Sequence, residues 1–296
     1  MSSGLMSASH PPFLDYARIQ NPQQPTLSLF LTACRDNDIT TSLSQALDQE
    51  PGALTYGLND AFRRSHLGLA RQLLDNGAQY DTKTVLIASN SLDAIIMLVE
   101  RGFNVNTALW HGGTVISMAV KNNNESVIRY LLRLGANPNL GPPRNAQGPV
   151  DQIRPIGNSG LALNEAAAKC TPEILGLLVQ HGAVLSNSVA LHRAAGVPPS
   201  IPPGERIPML EYLVGLGLDV NAMDDAIKVA DDDAGRGQWG SPLQYSIKWG
   251  RVEEARWLLD HGADPDLKTP WGGSPRDRVK RRFPPDHAFS ILFQEY

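Results

Sequence analysis

The stretch LLRLGANPN, residues 131–139, carries an apolar helical pattern into a glycine and a polar turn. Similar stretches recur along the chain: LLDNGAQYD (73–81), LVERGFNVN (98–106), LLVQHGAVL (177–185), LVGLGLDVN (213–221) and LLDHGADPD (258–266). The glycines are Gly77, Gly102, Gly135, Gly182, Gly217 and Gly262, with spacings of 25, 33, 47, 35 and 45 residues. Self-similarity with a period of about 33 residues is typical of repeat arrays, so the sequence predicts one.

Each copy predicts a pair of short helices. The second helix carries apolar residues at helical spacing, as at Val127, Ile128 and Leu131. Glycine then ends it, because only glycine adopts the left-handed turn without strain. Small residues in the first helix let neighbouring helices approach closely: ISMAV (116–120), NEAAA (164–168) and LHRAA (191–195). One pair cannot bury its apolar face alone, so the pairs must stack.

The units resemble ankyrin repeats, whose pattern is roughly G-x-TPLH-x-AA followed by LL and GAD-x-N. The segments that carry the resemblance are SVALHRAA (188–195), GSPLQYSI (240–247) and HGADPD (261–266). The form WGSPLQ, residues 239–244, is similar to a fungal-type variant of the motif. The resemblance implies an all-α ankyrin-repeat solenoid of about eight helix-turn-helix units with short finger loops. It also implies a non-enzymatic module that binds a protein through a concave face.

The repeat pattern divides the chain into four segments. They are a flexible arm over 1–25, a capping helix pair over 26–50, ankyrin repeats over 51–275 and a capping repeat over 276–296. Long finger insertions are expected near 141–158 and 222–238, and a Pro-rich insertion between two helices near 196–206. The long fingers flank a short one, which predicts a walled notch over residues 186–195. Long irregular loops are often functional, and neutral expansion is the alternative interpretation.

Composition narrows the class of partner. The 296 residues are 42% apolar with a formal net charge of −4, so no basic footprint for nucleic acid is evident. No apolar run reaches the length of a membrane span, and the amino terminus lacks the pattern of a secretory signal. Cys34 and Cys170 lie in distant units, out of reach of a disulfide. We therefore expect a cytoplasmic monomer, with the nucleus as the alternative location.

Candidate partner-binding residues come from the variable positions of the repeats and from the second long finger. Exposed Trp and Arg are enriched at binding hot spots. The candidates at variable positions are Arg63, Arg64, Trp110, His111, Lys121, Asn122, Lys248 and Trp249. The candidates on the finger are Asp231, Asp232, Asp233 and Trp239. For each Trp, packing against a neighbouring finger is the alternative interpretation.

Two charged stretches have open interpretations. The acidic group on the second long finger is either a solvated run or a docking patch for a basic segment. The basic stretch near the end is either a solvated cap or a nuclear-import or acidic-partner patch. The acidic residues are Asp224, Asp225, Asp231, Asp232 and Asp233, and the basic ones are Arg276, Arg278, Lys280, Arg281 and Arg282.

No motif predicts catalysis, a metal or a cofactor. Gly235, Gly237 and Gly240 have GxGxxG spacing, but they lie in a repeat finger rather than in a βαβ unit. His192 occupies the histidine position of the TPLH turn, where the resemblance implies a structural hydrogen bond. The alternative function is an enzyme or small-molecule-binding accessory protein of fungal specialised metabolism. A deep pocket in the notch, lined by His192, would favour it.

Overall fold

The computed structural model describes residues 25–46, 49–143, 153–224, 240–269 and 272–296. In these ranges the chain forms eight helix pairs, numbered so that odd helices come first in each pair. The helices are α1 (Pro25–Asp36), α2 (Ile39–Ala46), α3 (Pro51–Arg63), α4 (Leu67–Asp75), α5 (Thr82–Ala88), α6 (Leu92–Glu100), α7 (Val115–Lys121), α8 (Glu125–Arg133), α9 (Leu161–Lys169), α10 (Pro172–Gln180), α11 (Ala190–Ala195), α12 (Ile207–Gly215), α13 (Pro242–Trp249), α14 (Val252–Asp260), α15 (Pro275–Arg282) and α16 (Ala288–Leu292). The prediction of an all-α fold with about eight helix pairs is confirmed.

The helices form two compact units, divided between Asn104 and Val105. In the first unit the odd helices α1, α3 and α5 pack side by side, as do the even helices α2, α4 and α6. In the second unit α7, α9, α11, α13 and α15 pack in that order, each against the next. We call this second set the first-helix layer. Alanines such as Ala119, Ala166 and Ala194 are fully buried and permit the close packing of its helices.

The predicted role of the repeat glycines is confirmed. All six end a second helix with φ between 80° and 93°, in the left-handed region that favours glycine. At Gly135 the amide donates to Leu132 O at 3.0 Å, and the next amide, of Ala136, donates to Leu131 O at 3.0 Å. These bonds satisfy carbonyls that would otherwise lack partners at the helix end.

Asparagines four residues after a repeat glycine connect consecutive pairs. Asn139 donates from Nδ2 to Gly182 O at 2.7 Å and accepts at Oδ1 from Val184 N at 3.0 Å. Asn221 makes the same two bonds to Gly262 O and Asp264 N, at 3.0 and 2.8 Å. Asn106 repeats the pattern toward Gly135 O and Asn137 N. The asparagine of the GAD-x-N motif therefore fixes the register of stacking.

Both long finger insertions are closed at their bases. Gly141 and Ile156 exchange backbone hydrogen bonds of 3.3 and 2.8 Å. Asp224 N donates to Gly240 O at 3.2 Å, and Gly240 N donates to Asp224 Oδ1 at 3.1 Å. The interpretation of Asp224 as part of a solvated acidic run is wrong: its side chain is fully buried, because it ties the finger base together.

The Pro-rich insertion between α11 and α12 is held on one side by a buried ion pair. Arg251 and Glu254 lie 2.9 Å apart with side-chain exposures of 3% and 0%. Arg251 donates to Ile201 O and Pro202 O at 2.7 and 2.6 Å, and Glu254 Oε1 accepts from Gly204 N at 3.0 Å. The insertion is therefore bound to the pair that follows it.

Arg206, at the end of the same insertion, binds the pair that precedes it. The residue is buried, and its guanidinium donates to Ala167 O at 2.8 Å and Cys170 O at 2.7 Å. These carbonyls lie at the carboxyl end of α9, where helical partners run out. The insertion thus links three consecutive helix pairs.

Across all described residues, no helix is long and apolar enough to cross a bilayer.

Candidate partner-binding surface

Four of the predicted binding residues lie at carboxyl ends of the first-helix layer. Lys121 ends α7 and Asn122 follows it, and both are exposed. Lys248 and Trp249 are the last residues of α13, and both are half-buried. Since helix ends in this layer leave their last side chains accessible, these positions display charge and aromatic surface from a rigid support.

The side chain of Trp249 is partly covered by neighbouring residues. The indole packs against Gly196 at the end of α11, where an added Cβ would lie 2.9 Å from Trp249 Cδ1. Lys248 Nζ lies 5.1 Å from the centroid of the indole, within cation–π range. The ring therefore lies against the end of α11, with part of its surface open.

A charged row that the sequence interpretation missed joins α7, α9 and α11. Glu165, which is buried, pairs with Lys169 at 2.7 Å and with Arg193 at 3.5 Å. Lys169 Nζ also donates to Lys121 O at 3.3 Å. An alignment of the repeats could have revealed this row, because Glu165 and Arg193 carry opposite charges at the same variable position of consecutive first helices.

Trp110 and His111 lie in a short 3₁₀ turn before α7. Leu109 N donates to Gly113 O at 2.8 Å and closes the turn. Trp110 is half-buried, and His111 is exposed with φ of 59°. The turn packs against the base of the first long finger, since a Cβ on Gly112 would lie 3.1 Å from Ile153 Cγ2.

Arg63 and Arg64 belong to the first unit, and both are exposed at the end of α3. Arg63 donates to Asp60 at 3.2 Å, and Arg35 of α1 shares the same carboxylate at 3.3 Å. A shallow groove of about 440 Å³ lies beside Arg63, between the ends of α3 and α5. The remaining candidates, Asp231, Asp232, Asp233 and Trp239, lie outside the described residues, as do Gly235 and Gly237.

His192 is a structural anchor of the second finger. Its side chain is buried, and Nε2 lies 2.9 Å from Ala222 O, so Nε2 donates to that carbonyl. Burial lowers the pKa of the imidazole to about 4, although the nearby Asp224 carboxylate opposes the shift. Tyr245 meets the imidazole edge-on at 5.2 Å and donates to Asp224 Oδ2 at 2.9 Å. The predicted structural role is correct, but the bond reaches the next unit rather than staying within the turn.

The notch predicted over residues 186–195 does not open onto this imidazole, since His192 is only 2% exposed. The parts of the long fingers that would wall a notch, 144–152 and 225–239, lie outside the described residues. Among the residues with described positions, no three His, Cys, Asp or Glu side chains cluster as metal ligands do.

The basic residues of α15 fall into two groups, those that bond to neighbouring elements and those that line a groove. Arg276 binds Asp266 through Nε at 2.8 Å and Phe293 O at 2.7 Å, so it closes the last pair. Arg282 donates to Lys248 O at 3.1 Å. The other three basic residues line a groove of about 500 Å³ beside the turn at Gly272 and Gly273; they are Arg278, Lys280 and Arg281. The interpretation of the whole stretch as a solvated cap is therefore wrong for Arg276, whereas Arg282 is exposed.

Comparison with known proteins identifies the same repeat family that the sequence motifs resemble. A sequence profile described as Ankyrin repeat matches residues 111–141 and 240–270. The chain is 32% identical over 139 residues to Ankyrin repeat and SOCS box protein 6 of Homo sapiens, and equally so to that of Pongo abelii. The match takes in 47% of this chain and spans only 28% of the length of these relatives.

A solved structure supports the fold. The human ASB11 ankyrin repeat domain superposes with a TM-score of 0.56 at 18% sequence identity, covering 80% of this chain and 96% of that domain. Ankyrin repeats generally serve as protein-interaction modules. The glycine-terminated helix pairs, the asparagine bridges and these comparisons agree that the chain contains ankyrin repeats and has the fold of an ankyrin repeat domain.

Proposed function

We propose that this protein is a non-enzymatic ankyrin-repeat module that binds a protein partner through the concave face of its first helices and through its long fingers. The observation that carries the proposal is the first-helix layer itself. It holds charged and aromatic ends at Lys121, Lys169, Arg193 and Trp249 on helices whose other faces are buried. A preorganised surface of this kind binds without the entropy cost of ordering itself.

Trp249 is the proposed anchor of this surface. An indole already fixed by Gly196 and Lys248 loses little conformational freedom on binding, and Trp is the residue type most enriched at hot spots. The charged row beside it would orient the partner and speed encounter rather than supply most of the affinity. On the second finger, Asp231, Asp232, Asp233 and Trp239 are proposed to contact a basic segment of the partner.

The test uses a partner isolated from the native organism by cross-linking and identified by mass spectrometry. Trp249→Ala should weaken its affinity by at least about tenfold, mainly through a faster off-rate. Asp232→Lys with Asp233→Lys should lower the on-rate and its salt dependence. Surface plasmon resonance at two salt concentrations measures both effects.

Trp257→Ala is the matched control, because Trp257 is a half-buried Trp on the second helix α14, where it stacks on His261 at 3.8 Å. It should bind the partner as the wild type does. Melting curves establish that each variant is folded. If Trp249→Ala binds normally while Trp257→Ala does not, the interface lies on the second helices and the proposal fails.

We also propose that the protein is a monomer that works in the cytoplasm or the nucleus. Cys34 and Cys170 are both free and buried thiols, which suits a reducing compartment. Light scattering of the purified chain tests the monomer, and a fluorescent fusion in the native organism tests the location. A dimer at working concentration, or secretion of the fusion, would contradict this part.

A further inference from the structure

The groove at α15 concentrates positive charge in a confined space. Arg278, Lys280 and Arg281 line it, together with the polar side chains of Gln244, Thr269 and Ser274. Asp277 is the one carboxylate among the described lining residues, and it is committed to the helix start, where it accepts from Ser274 N at 3.2 Å. The groove therefore carries an excess of cations.

Two cations of the groove, Lys280 and Arg281, form no carboxylate salt bridge within the part of the chain that the structure describes. The salt bridge of α15 belongs to Arg276, with Asp266 at 2.8 Å. Arg281 donates through Nε to a backbone carbonyl, that of Asp277, at 3.2 Å. Burial, together with the neighbouring guanidiniums of Arg281 and Arg282, lowers the pKa of Arg278, and the Asp224 carboxylate opposes this shift. Like charges crowded at a partly buried site favour the binding of an anion.

We propose that this basic groove, lined by Arg278, Lys280 and Arg281, binds an acidic segment of a protein partner in extended conformation. The inference rests on the proposed function and names the chemistry of one contact. Arg278 and Arg281 are three residues apart on one helix face, so their Cβ atoms lie about 5–6 Å apart. Alternate side chains of an extended peptide lie about 6.6 Å apart on one side, which matches two carboxylates to two guanidiniums.

The size and setting of the groove select this ligand class. A volume of about 500 Å³ holds several side chains and exceeds the space that one small anion needs. A nucleic acid requires a basic stripe that follows the phosphate backbone, whereas the formal net charge here is −4 and the groove cations come from α15 alone.

The test measures binding of a fluorescein-labelled peptide of alternating Glu and Ser to the full chain by anisotropy. The counterpart with Gln in place of Glu, inorganic phosphate and a single-stranded oligonucleotide are the competing probes. We expect the Glu peptide to bind, the Gln peptide not to bind, and neither phosphate nor the oligonucleotide to displace the Glu peptide efficiently. Affinity should fall as salt rises, as for any exposed charge pairing.

Arg281→Glu should weaken peptide binding by at least about tenfold, and Lys280→Glu should act in the same direction. The matched control is Arg133→Glu, since Arg133 is likewise an exposed arginine in the last turn of a helix, α8. It makes the same change in net charge and helix-end charge, and its peptide affinity should stay within about twofold of wild type. Circular dichroism establishes that all three variants fold.

Three outcomes would overturn the inference: equal binding of the Glu and Gln peptides, equal losses in Arg281→Glu and Arg133→Glu, or efficient displacement by the oligonucleotide. The last would assign the groove to nucleic acid. Trp249→Ala separates this inference from the proposed function, because Trp249 does not line the groove. If Trp249→Ala abolishes partner binding while the Glu peptide never binds, the interaction module stands and the acidic ligand does not.

Discussion

At the scale of single residues, two glycines near the end of α12 adopt different backbone conformations. Gly217 has φ of 91°, whereas Gly215 has an ordinary φ, and a Cβ on either would meet open space. Gly217→Ala should lower the free energy of unfolding by about 1 kcal/mol, because L-residues avoid the left-handed region. Gly215→Ala should leave it unchanged or raise it by up to about 1 kcal/mol through helix propensity. Urea titration of both variants measures the difference, and equal effects would contradict the assignment of Gly217 as the helix terminator.

The buried imidazole of His192 should make stability depend on pH. Its pKa is about 4 in the folded chain, against the ordinary histidine value of 6.5 expected once the chain unfolds, so the unfolded chain binds more protons between these values. Its contribution is therefore fully present above about pH 6.5, and about 3 kcal/mol is lost as the pH falls through 6.5 toward 4. The measurement is the urea midpoint as a function of pH.

His192→Gln provides the comparison for this pH dependence. Glutamine can still donate to Ala222 O but does not titrate. The difference in unfolding free energy between wild type and variant should shrink or reverse as the pH drops. A constant difference across the whole range would show that the imidazole does not titrate upon unfolding.

At the scale of elements, the Pro-rich insertion depends on one carboxylate. Glu254→Ala would leave Arg251 buried without its counter-ion and Gly204 N without its acceptor. Removing one partner of a buried ion pair typically costs about 3–5 kcal/mol. Its neighbour Glu253 is exposed on the same helix, so Glu253→Ala should change stability by less than about 0.5 kcal/mol. Thermal unfolding of the two variants distinguishes them. Similar melting temperatures would show that the Arg251–Glu254 pair does not hold the insertion in place.

The helices and their ends were predictable because their determinants are local. An apolar pattern of helical period, a glycine at the end and small residues in the first helix specify each pair with no knowledge of the rest. The prediction failed where a charged residue was assigned from composition alone. Asp224 stands in an acidic run in the sequence, yet its carboxylate joins Gly240 and Tyr245 across the finger base. Such contacts connect residues distant in sequence, which local patterns do not encode.

The candidate surface was predictable only in part, for the same reason. Lys121 and Trp249 were predicted as candidates because they occupy variable positions of the repeat, and their role in binding stays a prediction. Lys169 and Arg193 were missed, since their significance comes from sharing Glu165 between neighbouring helices. The groove at α15 required the turn at Gly273 and the helix to be placed together, although its basic residues were visible in the sequence.

At the scale of the whole molecule, the two units each contain one buried thiol. Burial raises the pKa of Cys34 and of Cys170 to about 11, so neither forms thiolate readily at neutral pH. In a repeat array, stability grows with the number of stacked pairs. The first unit has three described pairs and the second has five, and Cys34 lies in α1, the first helix that the structure describes. We therefore expect Cys34 to become reactive at lower denaturant concentration than Cys170.

The single-thiol variants Cys170→Ala and Cys34→Ala report the two units separately. A thiol-reactive dye added across a urea series should label the first variant, which retains Cys34, before the second. Simultaneous labelling would indicate that the chain unfolds as one cooperative block, and the reverse order would contradict the dependence on pair number.

Arg206 holds the fifth and sixth pairs together, and in the sixth pair Ser186 stands where the bridging asparagine would lie, four residues after a repeat glycine. We expect the guanidinium and the Pro-rich insertion to take the place of an amide bridge between these two pairs. If either the Arg206 contact or an asparagine bridge can hold the two pairs together, a related chain that lacks one of them needs the other. In related chains, absence of the insertion should therefore coincide with an asparagine at the position of Ser186.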